Sequence, residues 1–152
     1  MSSDETTPLP GQSEPTKPSA PAAMTDADEV LFRQVHPSLF DGDEPASSAF
    51  MPNASDEGQL SVDREAVTTA QAAHDLYVGN GLKSGGTYGV TTGEFGAHDL
   101  QCYPDPVEAS GSLKANPAHA RVDFGALGNS KRKTVAKRLK ICALSRGVLY
   151  KP

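Results

Sequence analysis

Apolar positions in this chain begin late and come in short runs. From Met1 to Asp28 the sequence is mostly Ser, Thr, acid and Pro, with Pro8, Pro10, Pro15, Pro18 and Pro21 each removing a backbone donor. Such a stretch cannot bury enough surface to offset its conformational entropy, so residues 1–28 read as a disordered acidic tail. Met24 is an alternative start within it. Pattern begins at Glu29–Val35, where β-branched and aromatic residues predict a strand that His36-Pro37 ends. Leu60–Asp63, Thr87–Thr91 and Leu100–Tyr103 predict further short strands. His119–Phe124 alternates most cleanly, with Ala120, Val122 and Phe124 on one face and His119, Arg121 and Asp123 on the other. Three helices are expected. One is capped by Thr68 or Thr69 and runs to Tyr77, ended by Gly79-Asn-Gly81. A short one is capped by Thr92, and a long one runs from a Ser130 cap to about Ser145. Its core stripe is Val135, Leu139, Cys142 and Ala143. Val148–Tyr150 reads as a terminal strand.

Strands and helices interleave without regular β-α-β spacing. The expected fold class is therefore α+β: one small domain over 29–152, a mainly antiparallel sheet packed by two helices, preceded by the tail. The roughly 120 patterned residues suit a single domain. With 37% hydrophobic residues and no Trp, the core must rest on Val, Leu, Phe and Ala.

Composition narrows the setting. No apolar run approaches the roughly 20 residues that span a bilayer, and no basic segment leads into an apolar one at the N-terminus. The expectation is a cytoplasmic chain, off the membrane, with Cys102 and Cys142 as reduced thiols.

Charge changes the picture more. The net charge is −5, yet eight of the fourteen Lys and Arg residues lie between Lys131 and Lys151, and the last acid is Asp123. Lys131, Arg132, Lys133, Lys137 and Lys140 form the candidate binding surface. Lys131 to Lys133 sit where the helix dipole favours anions, so an acidic partner would relieve them.

Chemistry-bearing motifs are weak. No metal-ligand spacing is present, and no metal or cofactor is expected. Gly79–Gly86 has the composition of a phosphate loop but not its order, and reads as a turn. His98 stands four residues before Cys102, yet a Cys inside a strand usually packs as a small hydrophobe. Asp63-Arg64-Glu65 ends a strand, a place where function often gathers. Small mixed folds that act on NAD often carry an Arg or His on an early strand and a later Glu. By that analogy Arg33, His36, Glu94 and His119 are the candidate catalytic residues.

With no strong catalytic signature, the expected function is a small non-catalytic protein-interaction domain, accessory or regulatory. Its partner would dock on the basic helix, or on an exposed patch of Phe40, Phe50 and Met51. One alternative is a small enzyme acting on a nucleotide or NAD through the His/Arg/Glu site. A second, less favoured, is nucleic-acid binding through the basic helix.

Overall fold

Val30–Gln34 (β1), Gln59–Arg64 (β4), Thr87–Thr91 (β5), Gln101–Pro104 (β6) and His119–Asp123 (β7) form one sheet in a computed structural model that describes residues 22–152. The strand order is β5-β1-β4-β7-β6, and every neighbouring pair is antiparallel. Phe40–Asp41 (β2) and Glu44–Pro45 (β3) make a separate two-stranded ribbon. The helices are Ala70–Gly79 (α1), Thr92–Gly96 (α2) and Asn129–Arg146 (α3). The fold is thus α+β on an antiparallel sheet.

Alternation sorts the strands into two faces. Leu31, Leu60, Val62, Val90, Cys102, Ala120 and Val122 point into the core, where they meet Val135, Ala136, Leu139 and Ala143 of α3. Phe50, on a 3-10 turn over Ser47–Phe50, and Phe95 of α2 close the same core. Gln59, Ser61 and Asp63 of β4 point the other way, opposite Asp123, Arg121 and His119 of β7.

Gly89 lets the chain end cross the sheet. A Cβ there would lie 2.6 Å from Leu149 and 2.7 Å from Val30, and its carbonyl accepts from Arg146 at 2.8 Å. Gly147 ends α3 at φ 88°, a backbone region closed to most side chains.

Several expectations shift. Order begins before residue 29: the Met24 N–H donates to the Cys102 carbonyl at 2.8 Å, and Met24 packs on the core. The expectation of a disordered tail otherwise falls on residues outside the described ones. Ser130 lies inside α3, whose N-cap is Gly128. The short helix is capped by Thr91, not Thr92. Val148–Tyr150 contributes a single bridge, Tyr150 to Thr87, in place of a strand. Phe50 is fully buried and Phe40 and Met51 are half-buried, so the expected apolar docking patch is reduced to the exposed parts of those two.

Candidate functional site

The site grows out of a break in the sheet. β1 pairs with β4 at only two positions, Leu31 with Arg64 and Phe32 with Asp63. Beyond them β1 follows β5 while β4 follows β7. Arg33 reaches across this gap: Nε donates to the Ala49 carbonyl of the 3-10 turn at 2.7 Å and Nη1 to the Ser61 carbonyl of β4 at 3.1 Å. Its Nη2 has no partner among the described residues.

Two other half-buried arginines have carboxylate partners. Arg64 grips Glu29 through two bonds of 3.1 and 3.0 Å, and Arg146 grips Glu94 through two of 3.0 Å. Arg33 meets no carboxylate within ion-pair distance among the described residues. Burial pushes its guanidinium below the usual arginine range, against the weaker pull of Tyr77 and Asp56. A half-buried cation with no counter-ion among the described residues is under-compensated, and an anionic ligand would relieve it.

Arg33 opens into a pocket of about 360 Å³. Its far wall is the cross-strand pair Asp63 and His119. Its roof is Leu76 and Tyr77 of α1. Its rim is an arm over 105–117, folded back on itself by the bridges Val107 to Asn116 and Ser110 to Leu113. Asn80, at the C-cap of α1, accepts from the Lys114 N–H at 2.9 Å and ties the arm to the helix.

His119 and Asp63 are both held in place. His119 Nδ1 lies 2.9 Å from the Asp105 carbonyl oxygen and 3.2 Å from its carboxylate. A carbonyl can only accept, so Nδ1 carries the proton, and Nε2 is the ring nitrogen left for the pocket. Asp63 Oδ1 accepts from Asn116 Nδ2 at 2.8 Å. Burial raises the Asp63 carboxyl above its ordinary value, outweighing Asn116 and His119, which pull it down. The result is a more basic carboxylate across the strands from an imidazole whose Nδ1 is held by Asp105.

The expected site residues divide accordingly. Arg33 and His119 line this pocket. His36 is exposed and does not: its Nδ1 accepts from the Ser38 N–H at 3.0 Å, capping a 3-10 turn. Glu94 does not either. Its carboxylate receives the Thr91 N–H at 2.8 Å in a capping box and pairs with Arg146. Burial alone would raise the Glu94 carboxyl, yet Arg146 and Thr91 together hold it below the ordinary range. The Cys102 thiol is buried on the core face and pushed up to about 12 by burial, unsuited to nucleophilic work. Gly79–Gly86 forms a lip of the pocket through Asn80 and Leu82.

Nothing in the sequence singles out Asp105, Asn116 or Tyr77 as members of a site. Asp63 stands out only as a charge at a strand end. Asp63 and His119 each sit on the polar side of an alternating strand. That signal gives the face but not the strand pairing that sets one opposite the other.

Lys131, Lys133 and Lys137 are exposed on α3, with Arg132 and Lys140 half-buried. They lie on the far side of the sheet from the pocket. No group of His, Cys, Asp and Glu suited to a metal is found among the described residues, and no helix there is long and apolar enough to cross a membrane. Comparison with family models, with curated proteins and with solved structures finds no match to this chain.

Proposed function

We propose that this chain is a small enzyme that breaks a phosphate ester of a nucleotide by acid–base chemistry. Arg33 holds the phosphate, and Asp63 and His119 move the protons. The observation that carries the reading is a half-buried guanidinium with no counter-ion among the described residues, lining the same pocket as an anchored imidazole and a basic carboxylate. Apolar Leu76, Leu82, Val107 and Leu113 around the mouth suit the flat face of a base. Asp56 and Asp63 also line the pocket, beyond ion-pair distance of Arg33, and limit its positive charge, so the site favours a ligand with a single local negative charge, such as a diester.

The reading as a protein-interaction domain has less apolar surface to draw on, since Phe50 is buried and Phe40 and Met51 are half-buried. The basic face of α3 stays available to an acidic partner as a separate surface. Two free thiols, Cys102 and Cys142, fit a reducing compartment and favour the cytoplasm.

The test is a thermal-shift screen with nucleoside monophosphates, dinucleotides and NAD, followed by turnover of whatever stabilises the protein. Stabilisation by a nucleotide, lost in Arg33→Lys, together with turnover lost in His119→Ala, supports the reading. No nucleotide binding by the folded wild type sinks it.

A further inference from the structure

The open face of the sheet does not end at the pocket. Ser61, which lines it, pairs across with Arg121, and Arg121 pairs across with Tyr103 on β6, all three on the same face. The Arg121 guanidinium lies 4.5 Å above the centre of the Tyr103 ring. It is fixed there by a 2.8 Å bond to Gln59 Oε1, and Gln59 is fixed in turn by a 2.9 Å bond to Asp123. A flat cation stacked on an aromatic ring, held before any ligand arrives, is a surface on which a second base can stack. Arg121 stands two residues from His119 on one strand, roughly 7 Å along the sheet, so this shelf is about one nucleotide from the acid–base pair.

The pocket has another property. No Ser, Thr or Cys side chain is hydrogen-bonded to Asp63 or His119 among the described residues. Among the described residues the base therefore has no protein nucleophile to activate, which leaves water or a hydroxyl of the substrate itself.

We infer that the substrate is single-stranded RNA, cut by its own 2′-hydroxyl in the pocket, with the neighbouring nucleoside stacked on Arg121 and Tyr103. This rests on the proposed function. Asp63 takes the 2′-hydroxyl proton, and O2′ forms a bond to phosphorus. The bond from phosphorus to O5′ breaks, and His119, entering the step as imidazolium with both ring nitrogens protonated, gives its Nε2 proton to the departing oxygen and is left neutral with its proton on Nδ1. The products are a 2′,3′-cyclic phosphate and a free 5′-hydroxyl. Arg33 meets the charge that builds on the phosphoryl oxygens. No co-reactant is needed.

The test compares the dinucleotide UpA, its analogue with a 2′-deoxy uridine, and uridine 3′-(p-nitrophenyl phosphate), which lacks the second nucleoside. The expected result is a cyclic phosphate from UpA and from the p-nitrophenyl ester, with no cleavage of the deoxy analogue. Tyr103→Leu and Arg121→Ala raise KM for UpA about tenfold, leave kcat within about twofold, and leave the p-nitrophenyl ester unaffected. Tyr103→Leu keeps much of the apolar bulk of the ring, so it guards against an Arg121 variant that fails to fold. Cleavage of the deoxy analogue at the UpA rate, or unchanged KM in both variants, overturns the inference while the nucleotide reading stands. Binding of none of the three probes, nor of any nucleotide, overturns both.

Discussion

The two faces of this sheet follow opposite rules. On the face toward α3, Leu60, Val62, Ala120 and Val122 meet Val135, Leu139 and Ala143 with no titrating group among them. On the other face, the same two strands present Asp63 against His119 and Ser61 against Arg121. The first arrangement gains by excluding water and packing closely. The second encloses charge at a cost. Arg33 is the hinge of the comparison, since it leaves from β1 between core residues Leu31 and Val35 and opens among the polar groups of the pocket. One face holds the fold together, and the other carries strain that a ligand can relieve.

Mutations can break this contrast. The largest effect on stability should come from Phe124→Ala or Leu139→Ala, both at fully buried positions. Chemical denaturation should show losses of about 3–5 kcal/mol for Phe124→Ala and about 2–5 kcal/mol for Leu139→Ala. His119→Ala on the polar face should cost less than about 1 kcal/mol by the same measure. A comparable loss at His119 would erase the distinction between the faces.

Arg33→Lys comes next, now in activity. It keeps the charge but cannot hold the Ala49 and Ser61 carbonyls with one fork while meeting a phosphate. Turnover should fall about 100- to 1,000-fold. Steady-state kinetics on the best nucleotide substrate reads this, and undiminished turnover would remove Arg33 from the chemistry.

Asp63→Asn should lose activity and gain stability. The folded carboxyl is raised by burial, so the folded state holds its proton more tightly than the unfolded chain does. Stability is therefore lost as pH rises from the ordinary carboxylate value through the raised one. The uncharged amide of the variant escapes that loss while still accepting from Asn116. The variant should melt a few degrees higher at neutral pH, and the gap should close in acid. A melting point that is lower at neutral pH would mean that Asp63 is a structural partner rather than a strained one.

The smallest effect belongs to Glu94→Gln. Glu94 and Arg146 are partly exposed, so the pair should be worth at most about 1 kcal/mol after solvent screening. Here the sign reverses. The folded carboxyl is depressed, so its contribution is present above the ordinary carboxylate value and lost as pH falls through the depressed one. Activity should be unchanged at neutral pH, because Glu94 lies outside the pocket. A turnover loss in a folded variant would return Glu94 to the site.

Much of the fold was legible in the chain. Thr87–Thr91 reads as a strand because β-branched and aromatic residues fit a pleat, and Thr69 announces α1 because its hydroxyl can take the Ala72 N–H. Ser130 misled because a good capping residue inside the first turn looks like the cap itself. The site was less legible. Arg33 could be singled out as a charge inside an apolar strand, but the divergence of β1 from β4 that opens it to a pocket is a long-range event. Glu94 and His36 looked reactive by type, and local geometry spends both on capping. Asp105 and Asn116 sit in an irregular arm whose folding depends on a few backbone bonds and on Asn80. No periodicity marks them.

Arg33 is proposed to hold the phosphate of a nucleotide. Calorimetric titration of uridine 3′-monophosphate into the wild-type protein and into Arg33→Lys tests it most directly. The wild type should show one site, with affinity at least about tenfold weaker in the variant. Equal affinity in the two proteins, or no heat of binding to the wild type, would contradict it.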